Sequence, residues 1–216
     1  MKVNKFVLIA FSLFFCGYLQ AQKKKSKAPN QQQLVNSAFE NYRMALTNGN
    51  GFEAVKYVDQ STINYFNNIL GWIKNADSTQ IAQTRIFDKL MILVIRHKAT
   101  KEEVQSFDGA GLLAYCISNG LIGKPPIAGS TITNIKVADK TATAQIVVMS
   151  KPQNFYLQFF EEKNWKIDLA AIFTDSNTKL QSIATEQHKT ETELVLHIIE
   201  KNLKKPVTRE IWKPIK

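Results

Sequence analysis

Cysteine and histidine are scarce in this chain, which has two cysteines and three histidines among its 216 residues. Two cysteines exclude a disulfide-rich scaffold and a multi-cysteine zinc module. No histidine has a second histidine or a cysteine at the spacing that zinc sites use; the three are His97, His188 and His197. We therefore expect no metal site.

Sequence signatures of catalysis are also missing. The chain contains no G-x-S-x-G, no H-E-x-x-H, no phosphate-binding loop and no glycine-rich dinucleotide fingerprint. Cys116 lies in an apolar segment with no base beside it, so we expect a buried, inert thiol rather than a nucleophile. The sequence does not indicate a reaction, and we expect no cofactor.

The chain has a single long hydrophobic run, Phe6–Leu19, which follows Lys2 and Lys5. Its 14 residues are fewer than the roughly 20 that a membrane-spanning helix needs, which disfavours a transmembrane anchor. With Ala21 at the −1 position of a cleavage site, residues 1–21 have the three-part layout of a secretory signal peptide. We therefore expect export to the periplasm or the cell exterior, with cleavage near Ala21.

A lipoprotein is the alternative form of export, with Cys16 as the acylated residue. Lipoprotein signals favour a small residue before the cysteine, and here that residue is Phe15. Cleavage after Ala21 is therefore favoured, and it leaves Cys116 as the only cysteine of the mature chain. No intrachain disulfide is then available, so packing alone holds the core.

The formal net charge of +10 is unevenly distributed. Residues 1–21 carry +2, the four lysines of residues 22–27 add +4, and residues 201–216 add +5, which leaves −1 for residues 28–200. A nucleic-acid-binding domain is expected to carry a basic stripe on the domain itself. We therefore expect no nucleic-acid partner.

Residues 22–33 are polar and lack a periodic apolar pattern, which predicts a basic, disordered linker. Four lysines near an anionic membrane surface would each contribute about 1 kcal/mol of attraction. A weak contact with an anionic membrane is therefore one interpretation of this segment, and a solvated spacer is the favoured one. The lysines concerned are Lys23, Lys24, Lys25 and Lys27.

Apolar periodicity near 3.6 predicts a helical first half of the domain. Asp59 or Ser61 caps the third helix, and Thr100 with Glu103 forms a capping box. The apolar run Leu90–Ile95 is ambiguous between helix and strand. The expected helices span residues 34–47, 52–58, about 60–74, 79–97, a short stretch from 101, and 110–119.

A period of two follows, and it predicts four strands joined by short connections, which indicates an antiparallel meander. The strands are expected at residues 132–137, 141–149, 154–160 and 165–171. A last helix begins near Thr190, and Trp212 and Ile215 indicate that part of the tail docks. The chain is therefore expected to be α+β, with N-terminal helices on one face of a C-terminal antiparallel sheet and a further C-terminal helix.

Part of this sheet resembles a known superfamily. The stretch 139–144 (DKTATA), the aromatic strand Phe155–Phe160 and the segment 161–169 (EEKNWKIDL) are similar to the C-terminal sheet of nuclear-transport-factor-2-like domains, which include ketosteroid isomerase and scytalone dehydratase. The resemblance covers about residues 34–172 and implies a cone-like domain there, with residues 173–216 forming a C-terminal helix and basic tail. It departs at residues 60–120, where those domains usually insert a hairpin and this chain is predicted to be helical.

That superfamily hosts enzymes, binding modules and scaffolds, so the fold alone implies no function. Its isomerases use a pocket carboxylate or histidine to move protons while tyrosines donate hydrogen bonds, which implies a candidate set for a proton-transfer enzyme. In this chain, Asp108 could orient His97 or pair with Arg96, with Tyr65 and Tyr115 as donors. The favoured alternative is structural: the cations stabilise a helix end and Asp108 forms a turn.

The leading expectation is a non-catalytic module that binds a small apolar ligand or a protein partner through the cavity or the sheet face. Candidate ligand-binding residues are Tyr65, Tyr115, Tyr156, Phe160 and Asp168. Other aromatic residues of the sheet, Phe155, Phe159 and Trp165, belong either to this surface or to an ordinary core. For Asp168 a structural hydrogen bond is the favoured role. An envelope-associated structural subunit with basic tails is the third hypothesis.

Overall fold

The computed structural model describes residues 30–122, 127, 129–203 and 206–215. The expected signal peptide, the alternative acylation site at Cys16 and the linker lysines lie outside these residues. So do Pro125 and Pro126. None of the helices in the described ranges is long and apolar enough to cross a membrane.

Nine α-helices lie within the described residues, together with a 3-10 helix at Arg209–Trp212. Seven of them precede the sheet and two follow it. Their bounds are α1 (Gln31–Thr47), α2 (Gly51–Val55), α3 (Gln60–Asn75), α4 (Ser78–Ala82), α5 (Ile86–Lys98), α6 (Lys101–Ser106), α7 (Gly109–Ser118), α8 (Ala170–Glu186) and α9 (Glu191–Leu203).

Four strands form one antiparallel sheet in the order β1-β2-β3-β4, which is a simple meander. Their bounds are β1 (Ser130–Ala138), β2 (Thr141–Val148), β3 (Lys151–Glu161) and β4 (Trp165–Asp168). The expected α+β class is therefore confirmed, with helices before the sheet and a helix near the C-terminus.

Local capping signals decide where several helices begin. The Asp59 carboxylate accepts hydrogen bonds from the amides of Ser61 and Thr62 and so caps α3, and Thr100 with Glu103 forms the expected capping box of α6. Asn30 caps α1 in the same way, so this helix begins three residues before its expected start. Residues 31–33, which the sequence assigns to the linker, are helical.

The helix expected over residues 79–97 is wrong, because the chain forms α4 and α5 with a turn between them. The Thr84 hydroxyl donates to the Ile81 carbonyl oxygen at 2.8 Å, which satisfies the end of α4. Thr84 is buried, so packing stabilises this turn. The apolar pattern does not indicate the turn, because its periodicity continues across it and predicts one helix. The strand interpretation of Leu90–Ile95 is also wrong, since the run lies within α5.

The last strand is shorter than expected. β4 ends at Asp168, and residues 170 and 171, expected to be in the strand, begin α8. The carboxylate of Asp168 accepts a hydrogen bond from the Ala170 amide at 2.7 Å, which stabilises the turn into the helix. Only three α8 residues are buried, so its apolar periodicity is too weak to predict a helix; they are Phe173, Asn177 and Ala184.

The sheet has one buried face and one exposed face. Its inner residues alternate along the strands and are buried in the core; they include Ala142, Ala144, Ile146, Leu157, Phe159, Trp165 and Ile167. Helix α1 contacts β1 and β4, and α8 contacts β3. The outward Tyr156 is 47% exposed, so the described helices leave that side of β3 open.

The C-terminal tail docks, as the sequence predicts. Ile211 is buried, and the amide of Ile215 donates to the carbonyl oxygen of Ile73 at the end of α3. The guanidinium of Arg96 joins the same region, because it donates to the carbonyl oxygens of Ile73 and Ile211. Helix α3 and the tail therefore form one packed unit with α5.

Candidate functional site

Two glycines allow α2, α7 and α3 to approach closely. A side chain at Gly51 would overlap the backbone carbonyl of Ala114 in α7, and one at Gly109 would overlap the backbone of α3 at Ile63. The Gly51 amide donates to the Ser118 hydroxyl at 3.1 Å. Helix α2 is therefore fixed directly against α7.

A surface groove of about 570 Å³ lies between α2, the end of α6 and one side of α7. We call it the aromatic groove; its apolar residues are Phe52, Val55, Phe107 and Tyr115 and its polar rim is Ser106, Asp108, Ser118 and Asn119. Phe52 is 76% exposed. A large ring that folding leaves mostly in water, inside a concave apolar surface, is typical of a binding site.

The opposite wall of the groove is ordered by a contact between Phe107, which follows α6, and Tyr115 in α7. The rings of Phe107 and Tyr115 lie 5.1 Å apart between centroids and are tilted by 48°. Burial raises the pKa of Tyr115, and the negative charge of Glu103 adds to the shift. The Tyr115 hydroxyl is therefore protonated at neutral pH and able to donate a hydrogen bond.

Asp108 and Cys116 have clear roles in this helix. One carboxylate oxygen of Asp108 accepts from the amide of Gly111 at 2.7 Å, so Asp108 is the N-cap of α7, and its side chain borders the aromatic groove. Cys116 is buried, and burial raises the pKa of its thiol, which disfavours the reactive thiolate. The expected buried thiol is confirmed.

A second and smaller pocket lies where α3, α5, β4 and α8 meet. Its volume is about 90 Å³, and we call it the Asp168 pocket; its lining is Ser61, Thr62, Tyr65, Arg85, Asp168, Ala170, Phe173 and Thr174. A cavity of this size exceeds the need of one water molecule, yet it is far below the roughly 300–1,000 Å³ of pockets that hold a whole ligand. It can therefore hold one functional group.

One side of this pocket is a fixed polar cluster. Asp88 is buried; it accepts hydrogen bonds from the Tyr65 hydroxyl and, at 2.9 Å, from Nε of Arg85. Burial raises the pKa of Tyr65 above its usual range, and the hydrogen bond to Asp88 adds to this shift. Tyr65 is thus a neutral donor, and the Arg85 guanidinium is oriented by a buried carboxylate.

The other side of the pocket is Asp168. Its carboxylate accepts from the Ala170 amide and from the Thr62 hydroxyl. Burial raises the pKa of Asp168, and the charge of Asp59 contributes in the same direction. The expected structural hydrogen bond of Asp168 is therefore present, and its carboxylate also borders a cavity.

Stacked aromatic rings form the floor of the pocket. Phe173 stacks on Tyr65 with ring centroids 4.9 Å apart and on Phe87 at 5.4 Å. The Asn177 side chain accepts a hydrogen bond from the Phe87 amide at 3.0 Å, which joins α8 to α5. These contacts hold Tyr65 and α8 in fixed positions.

The structure brings some predicted site residues together in pairs. Tyr65 and Asp168 share the Asp168 pocket, and Asp108 and Tyr115 share the aromatic groove. Tyr156 and Phe160 lie on β3 and alternate with the buried Phe159, so they belong to the outer face of the sheet. The sheet aromatics therefore do not form one surface, and Phe159 and Trp165 are core.

Arg96 has a structural role. Its guanidinium donates to carbonyl oxygens at the end of α3, those of Trp72, Ile73 and Ala76. The start of α7 contacts an earlier part of the same helix, because the amide of Gly109, next to Asp108, donates to the Asn67 side chain. A helix rises 1.5 Å per residue, so the end of α3, where the guanidinium binds, lies on the order of 10 Å from the part of α3 that contacts the start of α7. The candidate pairing of Arg96 with Asp108 is therefore not formed, and the favoured structural role of Arg96 is the one observed.

His97 lies beside Arg96 near the end of α5 and is half-buried. Among the residues that the structure describes, the lining of the aromatic groove includes Asp108 but not His97. Tyr65, a candidate donor for the same proton-transfer site, instead donates to Asp88.

Sequence reasoning missed Phe52, Phe107, Arg85 and Asp88. Asp88 carried a usable signal, because a carboxylate inside the very apolar α5 must find partners when it is buried. The sequence indicates a role for Phe52 only weakly, through its position after Gly51 at the start of a short helix. The contribution of Phe107 depends on how α6 and α7 turn, which no local pattern indicates.

Within the described ranges, no group of three or more histidine, cysteine, aspartate or glutamate side chains could hold a metal ion. Comparison of the chain with protein-family models and with curated proteins finds no match.

Proposed function

We propose that this protein is an exported binding protein whose aromatic groove holds a small apolar or aromatic ligand. The observation that carries the proposal is the position of Phe52, which projects into solvent beside Val55, Phe107 and Tyr115. Its contribution to folding is small because most of the ring stays in water. A ligand in the groove would cover it.

The energetics support this occupant. An aromatic side chain buries roughly 150–250 Å² when it is covered, at about 25 cal/mol per Å² of apolar area. A ligand that covers part of the Phe52 ring could therefore gain about 1.5–3 kcal/mol of binding free energy from this contact, before the costs of association. The groove volume of about 570 Å³ lies within the usual range for small-molecule sites.

The rim gives the ligand a preferred orientation. The Tyr115 hydroxyl can donate a hydrogen bond, and Asp108 keeps one carboxylate oxygen beyond the one that caps α7. A suitable ligand therefore has an apolar or aromatic body and a polar end that carries a donor. Such a combination of apolar walls and a few polar groups is the usual design of a binding pocket.

A protein partner is the competing occupant. Stable protein interfaces bury about 800 Å² on each partner, whereas this apolar surface is a groove confined to α2, α6 and α7. The small ligand is therefore the better match.

The experiment uses N-phenyl-1-naphthylamine, a neutral aromatic probe, with fluorescence as the readout. We expect saturable one-to-one binding that Phe52→Ala weakens by about tenfold or more, which corresponds to the loss of about 1.5–3 kcal/mol of apolar contact. Met149→Ala is the matched control, because Met149 is 80% exposed and lies in the β2–β3 turn. Equal binding by the two variants would refute the groove as the site.

Export is part of the proposal and is supported by the residue pattern of positions 1–21. Intact-mass measurement of the secreted protein is expected to show a chain that begins at Gln22. A mass that includes a diacylglyceryl group on Cys16 would instead establish the lipoprotein form.

The relationship to nuclear-transport-factor-2-like domains also stays a proposal, supported by the order of helices followed by an antiparallel meander. The alternative of a proton-transfer enzyme needs His97 and Asp108 at one cavity. Of these two residues, only Asp108 is in the described lining of the aromatic groove. The third hypothesis, an envelope-associated subunit, is supported only by the basic sequence ends. Binding is therefore the function that we favour.

A further inference from the structure

The Asp168 pocket places an acceptor and a donor on the same small cavity. The Asp168 carboxylate borders it from the end of β4, and the Arg85 guanidinium borders it from the turn before α5. Asp168 accepts a hydrogen bond from the Ala170 amide, and the Arg85 side chain, which is 55% exposed, is oriented by its ion pair with Asp88. The two groups form no ion pair with each other within the described residues.

Both groups keep hydrogen-bonding capacity for a ligand. Arg85 uses Nε and one terminal nitrogen for Asp88, which leaves its other terminal nitrogen as a donor. A carboxylate has about four acceptor positions, and Asp168 uses two of them for Ala170 and Thr62. The spare donor of Arg85 and the spare acceptors of Asp168 border the same cavity, so both are available to one bound group.

The charge balance disfavours ions of either sign. The positive charge of Arg85 is matched by Asp88, so an anion gains little there and meets the carboxylate of Asp168. A cation would be attracted to Asp168 but would lie in the same cavity as the guanidinium. A neutral group with a donor next to an acceptor satisfies both walls without these costs.

We propose that the Asp168 pocket is a second binding site, distinct from the aromatic groove, that recognises a carboxamide group through Asp168 and Arg85. The amide N–H donates to Asp168, the amide oxygen accepts from Arg85, and the substituent packs against the ring of Phe173. The volume of about 90 Å³ suits the end of a side chain or an acetylated amine rather than a whole ligand.

The test is an NMR titration of the full chain, in which acetamide, acetate and ethylammonium are the probes at matched ionic strength. The backbone amides of Leu169 and Ala170 report on the pocket, since both donate to groups that line it. We expect acetamide to shift these signals saturably and the two ions to bind at least about tenfold more weakly, as expected for the loss of one charge-assisted hydrogen bond. Equal or tighter binding of either ion, or no saturable shift with acetamide, would overturn the proposal.

A change of preference gives a sharper test. In Asp168→Asn the side-chain oxygen can still accept from Ala170, but the pocket now meets an amide donor, so we expect acetate to bind about tenfold better than acetamide. Asp175→Asn is the matched control, because Asp175 lies on the same helix and pairs with Lys179 outside the pocket. An unchanged preference in a folded Asp168→Asn protein would refute the role of Asp168.

The source of the carboxamide is distinguished by two further probes. N-acetylglucosamine represents an acetylated sugar, and glutamine represents an amino-acid side chain. Preferential binding of either supports the proposal and identifies the source. Arg85→Met is expected to weaken acetamide binding by about tenfold. Unaltered affinity in that variant would contradict the second contact.

Discussion

The Nε atom of Arg96 donates a hydrogen bond to the carbonyl oxygen of Ile73 at 3.0 Å. The same guanidinium also donates to Trp72 and Ala76 in and after α3 and to Ile211 in the tail. It thus supplies donors to carbonyl groups that a helix end otherwise leaves unsatisfied. Burial lowers the pKa of Arg96 to about 10, so the side chain is still cationic at neutral pH.

Replacement of this guanidinium is expected to be costly. Arg96→Met leaves buried carbonyl oxygens without donors, so we expect the free energy of unfolding to fall by at least about 3 kcal/mol. Urea denaturation measures this change, and limited proteolysis is expected to show earlier cleavage of the C-terminal tail. Arg209→Met is the control, because Arg209 is exposed in the 3-10 helix. A loss of less than about 1 kcal/mol in Arg96→Met would contradict the structural role.

Alanine substitutions at Gly51 and Gly71 are expected to change the unfolding free energy in opposite directions. Gly51→Ala places a methyl group on the carbonyl of Ala114, so α2 and α7 must separate, and we expect a loss of about 2–3 kcal/mol in unfolding free energy. Gly71→Ala meets no atom within 4 Å in the middle of α3, so we expect a gain of about 0.5–1 kcal/mol. Thermal and urea denaturation measure both changes.

Binding provides a second readout for this pair. Separation of α2 from α7 changes the distance between Phe52 and Tyr115, so Gly51→Ala is expected to weaken binding of the naphthylamine probe. Gly71 lies in α3, outside the aromatic groove, and its variant is expected to bind normally. If Gly51→Ala were as stable as the original chain, this result would contradict the close contact of α2 with α7.

The pKa of Asp168 predicts a pH-dependent stability. A carboxyl group whose folded-state pKa is raised above its ordinary value of 3.8 favours folding below that value, and this contribution is lost as the pH rises through the raised pKa. Asp168→Asn is neutral at every pH. We therefore expect the unfolding free energy of the original chain to fall relative to that of Asp168→Asn as the pH rises from about 4 to 7.

Urea denaturation at a series of pH values measures this difference, and a carbon-detected NMR titration of the Asp168 carboxyl measures the pKa directly. A midpoint below 3.8, or a difference that changes in the opposite direction with pH, would contradict the assigned environment.

The parts of the fold that local chemistry determines were predictable. The caps at Asp59 and Thr100 follow from residues adjacent in sequence. The meander likewise follows from alternation and short turns. Helix α8 was not predictable in this way, because it buries only three residues and its start depends on the contact between Asp168 and Ala170.

The candidate sites were less predictable, since each joins residues that are distant in sequence. Tyr65 and Asp168 were identified one by one, but their common pocket depends on the packing of α8 against α5. The aromatic groove depends on Gly51 and Gly109, whose small size matters only once α7 is in contact with both α2 and α3. Tertiary contacts therefore supply what local patterns could not.

The short strand β4 is flanked on its free side by the main chain just before α3. Val58 forms a parallel bridge with Ile167, the Ile167 amide donates to the Tyr57 carbonyl oxygen at 2.8 Å, and the Asp59 amide donates back to Ile167. Backbone groups on this border are thus already occupied, and an incoming strand from another molecule would have to displace the segment that caps α3. The domain therefore carries a built-in obstacle to sheet extension and aggregation at that border.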